Sequence, residues 1–91
     1  MTDNKIKVLR CFVEFYGKEN QIIKAVEECA ELQQRLCNTF TKNANTSLIA
    51  EEIADVKIML EQMQIIFDCS SEVENWIEFK IQRQIERMAK K

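Results

Sequence analysis

The chain contains no proline, and its only glycine is Gly17. So few breakers, in a sequence carrying Leu, Ile, Glu, Gln and Lys throughout, read as an all-α protein. The apolar spacing predicts four helices. The first spans about 4–16, with Ile6, Leu9, Phe12, Val13 and Tyr16 at helical spacing and Gly17 as its stop. The second spans about 18–38 and carries a stripe of Ile22, Ala25, Val26, Cys29, Leu32 and Leu36. The polar stretch NTFTKNANTS (38–47) breaks the pattern and offers Asn45, Thr46 or Ser47 as N-cap of the third helix, about 48–67. Its stripe is Leu48, Ile49, Val56, Met59, Leu60, Met63, Ile66 and Phe67, with Met59 and Met63 read as core. CSSE ends it, and Ser71 followed by Glu74 fits a capping box for the fourth helix, about 72–89.

At 91 residues this is one domain. A chain of that size buries roughly 60–65% of its unfolded surface, a modest core. Ile23, Val26 and Ala30 broaden the apolar surface of the second helix, so the expectation is a homo-oligomer, dimer or tetramer, that completes the core. The net charge of −2, with both signs mixed, argues against binding a nucleic-acid polymer, and Lys90-Lys91 reads as a solvated end. No apolar run approaches the length of a membrane span, and MTDNKIKVLR lacks the apolar region of a secretory signal. Cys11, Cys29, Cys37 and Cys69 form no C-x-x-C, which excludes zinc-finger and redox motifs. Free thiols, with Cys29 among apolar neighbours, suit a reducing compartment, and a cytoplasmic protein is expected.

The chain has no histidine, so imidazole ligands and Ser-His or Cys-His nucleophiles are excluded. One glycine likewise excludes a P-loop and a dinucleotide fingerprint. Chemistry must therefore run on carboxylates, amines, guanidinium groups or thiols.

Two acidic clusters interrupt the apolar helices, EECAEL at 27–32 and EEIADV at 51–56. Glu52 falls near the middle of the third helix's apolar stripe and Asp55 at its edge, whereas Glu51 points away. A carboxylate in an apolar stripe is costly unless it is paired or bound to a cation. Glu28 borders the stripe of the second helix, with Glu31 further round and Glu27 pointing away. If the second and third helices form an antiparallel hairpin, Glu28 comes level with Asp55 and Glu31 with Glu52. Each pair is equidistant from a midpoint between Thr41 and Lys42, inside the polar break. Four carboxylates on one patch cannot all stay ionised without a partner. An all-oxygen donor set suits a hard cation, Mg²⁺ first and Mn²⁺ as a substitute. The plainer reading is a hairpin laced with surface ion pairs.

The pattern E-x-x-E, twenty residues, E-x-x-D resembles the signature of the MazG-like all-α nucleoside triphosphate pyrophosphohydrolases, matched here by Glu28, Glu31, Glu52 and Asp55. The likeness extends through NQIIKAVEECAEL and IEFKIQRQIERM, and so covers roughly residues 20–89. The resemblance implies a dimer or tetramer with a shared four-helix-bundle core. It implies that the four acids hold one or two Mg²⁺ ions, and that a nucleoside triphosphate is cleaved between its α and β phosphates. Glu28 or Glu31 would then orient or deprotonate the attacking water. Such chemistry needs neither histidine nor a glycine-rich loop, because a metal can neutralise the phosphates and activate the water.

Other residues have two readings each. Lys80 lies within the fourth helix's stripe between Val73 and Trp76, with Arg83 and Arg87 on its edge; these cations suit phosphate contact, or simple snorkelling. Trp76 suits the core or an interface, or stacking on a base. Asn20 and Gln21 could read a base edge or merely start a helix. Lys24 could touch phosphate, or pair with Glu28 one turn on. Two other functions stay open, phosphoribosyl-ATP pyrophosphohydrolase and a non-catalytic helical interaction module. A carboxylate-bridged di-iron bundle fails for want of E-x-x-H.

Overall fold

A computed structural model describes residues 1–90; Lys91 lies outside the described residues. The protein is all-α, with α1 at Asp3–Tyr16, α2 at Lys18–Asn38, α3 at Thr46–Phe67 and α4 at Ser70–Ala89. Most of the helix boundaries have a local cause. Thr2 caps α1 by accepting a hydrogen bond from the Lys5 N–H at 3.3 Å. Gly17 closes α1 and opens α2 with φ at 91°, donating its N–H to Val13 O at 2.9 Å and accepting from Gln21 N–H at 3.1 Å. A side chain there would meet no neighbour, so the demand for glycine is purely conformational.

Of the three expected caps for α3, Asn45 takes the position, its Oδ1 accepting from the Leu48 N–H at 3.1 Å. Asp68 ends α3 in the left-handed region, with its own N–H bonded to Ile65 O and that of Cys69 to Gln64 O. This is a Schellman closure made with Asp instead of the usual glycine. The expected Ser71–Glu74 capping box does not form. The tight Schellman turn starts the next helix early, so Ser71 already lies inside α4; Cys69 holds the N-cap position, without a side-chain hydrogen bond.

The core is narrow. Leu9 and Val13 of α1, Ala25 of α2, and Val56 and Met59 of α3 are its buried apolar side chains. Helices α1, α2 and α3 all pack on one another, while α4 touches α3 alone. No residue of α4 is buried, and Trp76, Ile77, Phe79, Ile81, Ile85 and Met88 are exposed. Several residues read as core from spacing are exposed too, among them Phe12, Tyr16, Val26, Leu36, Leu60 and Phe67. A helix touching one neighbour buries only the middle of its stripe, and the flanks stay in water. Among the described residues no helix is long and apolar enough to cross a membrane.

Candidate metal centre

Gln21, Glu28 and Arg35 recur every seven residues on α2, with Ala25 and Leu32 between them. That spacing keeps them on one edge of a helix. The α3 edge carries Glu52, Asp55, Met59 and Gln62 at the same kind of interval. The two helices meet at two levels. At one, Gln21 Nε2 donates to Gln62 Oε1 at 2.6 Å, both side chains being buried. At the other, Arg35 Nε lies 3.8 Å from Glu52 Oε1.

The acids sit between these levels. Glu28, Glu31 and Glu52 each bring a carboxylate oxygen to within 4.8 Å of the others. Glu28 is the most buried, at 7% exposure, deeper than Glu52, which its place in the α3 stripe had made the stronger anomaly. Glu28 Oε1 is 3.2 Å from the Lys24 ammonium, so the ion pair expected one turn away is present. Its other oxygen, Oε2, is buried with no hydrogen-bond partner, and the same holds for Glu52 Oε2. An unpartnered buried polar atom costs about 1–3 kcal/mol, more when charged. Two of them lie in one carboxylate cluster, free to accept a hydrogen bond or to ligate a cation. The fit to a hard cation is good: the donors are all oxygen, and two are desolvated and otherwise unused.

The acids also perturb one another. The Glu31 carboxyl is held above the usual carboxylate range, first by the neighbouring Glu28 charge, then by partial desolvation and by Glu52. Asp55 is raised too, by desolvation first and then by Glu28 and Glu51. Asp55 thus stands in the field of Glu28, although it lies outside the tight group of three. The Lys24 ammonium is raised as well, holding its proton more firmly through its hydrogen bond to Glu28 and the charge of that carboxylate. Three acids of the motif therefore share one patch, and the fourth, Asp55, stands near Glu28 alone among them.

The remaining candidates are dispersed. Gln21 spends its amide on Gln62 inside the α2–α3 contact, and Asn20 donates to Tyr16 O at 2.8 Å on the surface. On α4, the Lys80 ammonium lies 5.9 Å from the Trp76 ring centroid and the Arg83 guanidinium 5.6 Å from that of Phe79. These cations lean on aromatic neighbours of their own helix. Two residues escaped the sequence reading. Gln62, 1% exposed, continues the α3 edge three residues beyond Met59 and seven beyond Asp55. Arg35 continues the α2 edge seven residues beyond Glu28 and borders, with Glu31 and Glu52, an open cleft of about 630 Å³. Their spacing from Glu28 and Asp55 is the signal that points to both, once the contact edge is known.

No family model matches the chain, and neither a curated protein nor a solved structure matches it.

Proposed function

We propose that the protein is a small MazG-like, Mg²⁺-dependent pyrophosphohydrolase that cleaves a nucleoside triphosphate to a monophosphate and pyrophosphate. The observation that carries this reading is the pair of buried, unpartnered oxygens on Glu28 and Glu52, inside a cluster that Glu31 completes and Asp55 borders. Glu28, Glu31, Glu52 and Asp55 would hold Mg²⁺, with Mn²⁺ as a substitute. The bound cation supplies neutralisation of the phosphates and a more acidic water. Glu31 is the exposed member of the cluster, and in this reading it is the carboxylate best placed to orient the attacking water. Lys24 keeps Glu28 from carrying the whole negative charge of the site. Lys80 and Arg83 are phosphate contacts in this reading, and Asn20 and Gln21 mark the base end.

The proposal includes α2 and α3 as an antiparallel hairpin. Supporting it, Gln21 and Gln62 are equidistant from the point between Thr41 and Lys42 about which the four acids pair. It also includes a cytoplasmic homo-oligomer. The protein exposes 7510 Å², against about 5,500 Å² for a compact monomer of its mass. Its radius of gyration is 16.1 Å, where about 12 Å is usual. That excess exceeds the roughly 600–1,000 Å² each partner gives to a standard interface. The exposed α4 face is the one observation that favours a non-catalytic interaction module, which would release no pyrophosphate whether or not its acids hold a metal.

The test is pyrophosphate release from a panel of canonical and modified nucleoside triphosphates with Mg²⁺, run beside Glu52→Gln. Release that the substitution abolishes is expected. A wild-type protein that gains no thermal stability from millimolar Mg²⁺ would sink the metal site. The pH dependence gives an independent check. A carboxyl whose pKa is higher in the folded state favours folding below that pKa and disfavours it above. Glu31 and Asp55 are such groups, so the metal-free protein loses stability as pH rises through their raised values. Mg²⁺ competes with those protons, so the gain in Tm should be largest at neutral pH and shrink as pH falls toward 4.

A further inference from the structure

We propose that Arg35 receives the terminal phosphates of the substrate, so that the triphosphate runs from the carboxylates along α2 toward the connection between α2 and α3. This rests on the metal-site reading above and gives the site a direction.

Arg35 is placed for this by the same seven-residue spacing that places Glu28. Its Nε lies 3.8 Å from Glu52 Oε1, beyond hydrogen-bond distance, and its side chain is 40% exposed. The guanidinium has five N–H donors, and no side-chain hydrogen bond of Arg35 exists among the described residues. It stands where the cleft changes sign. On one side the cleft of about 630 Å³ is walled by Glu31 and Glu52. On the other, Arg35 and Asn38 also border a second recess, of about 200 Å³, that continues past Lys42 and Asn43. Arg35 and Asn38 belong to both hollows.

A chain of phosphates bound with a divalent cation needs acids at one point and cations beyond it. This sequence of groups supplies that order within a single protomer. Glu52 is the present counter-charge of Arg35. Once Glu52 gives its oxygens to a cation, the guanidinium is left beside a positive charge, and a phosphate is the anion that can replace the lost partner. The planar fork of arginine matches two phosphate oxygens at once.

The experiment is calorimetric titration of the full chain, first with Mg²⁺ alone and then with inorganic tripolyphosphate at saturating Mg²⁺, for wild type, Arg35→Ala and Arg35→Lys. Alanine suits a half-exposed helical position, so the fold should survive. Arg35→Ala should bind Mg²⁺ as well as wild type or more tightly, because a competing cation has left Glu52. Its tripolyphosphate affinity should fall about 10- to 100-fold, the usual worth of a charge-assisted pair. Arg35→Lys, keeping the charge and losing the fork, should fall between. Equal tripolyphosphate affinity in wild type and Arg35→Ala, with Mg²⁺ binding intact, would overturn the proposal. So would loss of Mg²⁺ binding in Arg35→Ala, which would make Arg35 a support of Glu52. A wild-type protein that takes up no Mg²⁺ overturns the metal-site reading, and this one with it.

Discussion

Helices α2 and α4 have nearly the same length, 21 and 20 residues, yet they distribute polarity in opposite ways. Three residues of α2 are buried, Gln21, Ala25 and Glu28, two of them polar, while Ile23 and Val26 face water. On α4 nothing is buried and six large apolar side chains are exposed. Stability alone favours neither arrangement, since burying a carboxylate and exposing a tryptophan both cost free energy. The contrast separates two tasks. The α2–α3 contact buries a polar cluster, and α4 carries an apolar face that the rest of the chain does not cover. In the proposed reading the first arrangement is the metal site and the second the surface that a partner copy covers.

The largest effect that can test this contrast is a pair of truncations. Met59 of α3 is 5% exposed, and Met59→Ala should cost about 2–5 kcal/mol in urea unfolding. Ile81 is 57% exposed, and Ile81→Ala should cost no more than about 0.5 kcal/mol in dilute protein. If α4 is covered in an assembly, the Ile81→Ala cost should grow with protein concentration, since only the associated form loses a contact. Equal costs for both substitutions at every concentration would mean that α4 packs within its own protomer, and the contrast would collapse.

A smaller effect sharpens the α2 side. Gln62→Leu leaves the Gln21 amide buried without its 2.6 Å partner and should cost about 1–3 kcal/mol. Replacing both glutamines by leucine removes donor and acceptor together, and should restore stability to near or above that of wild type. If the pair also fixes the alignment of the acids, the double variant should be as stable as wild type and yet bind Mg²⁺ more weakly. A double variant that binds Mg²⁺ normally would reduce the glutamine pair to packing.

Much of this was legible in the sequence, and the gaps have physical causes. The four helices follow from apolar period and sparse breakers, and Glu28, Glu31 and Glu52, three of the four acids that the E-x-x-E and E-x-x-D spacing selects, gather on one patch. The depth of each acid was not legible. A stripe drawn on one helix shows which residues share a face, but not which edge of the face meets the neighbour. Hence Glu28, on the border of its stripe, is buried more deeply than Glu52, in the middle of its own. Gln62 and Arg35 were passed over because a polar residue draws notice only once the facing edge is known. The apolar stripe of α4 looked like those of the other helices, since an amphipathic pattern calls for a partner without saying whether it lies in the same chain.

Helix starts give the smallest test and bear on the same contrast. The α3 helix carries the candidate metal ligands Glu52 and Asp55 within its first three turns, and its entry is fixed by Asn45 accepting from the Leu48 N–H. The α4 helix begins at Cys69 with no side-chain cap, and Ser71 sits inside the helix instead of capping it. Asn45→Ala should therefore cost about 1 kcal/mol, and the frayed first turn should loosen Glu52 enough to weaken Mg²⁺ binding as well. Ser71→Ala removes no cap and should leave unfolding within about 0.5 kcal/mol of wild type. Amide exchange can read both ends in one experiment, with the first turn of α3 protected in wild type and exposed by Asn45→Ala. A cost of about 1 kcal/mol at Ser71 would restore the capping box, and with it a helix α4 as firmly started as α3.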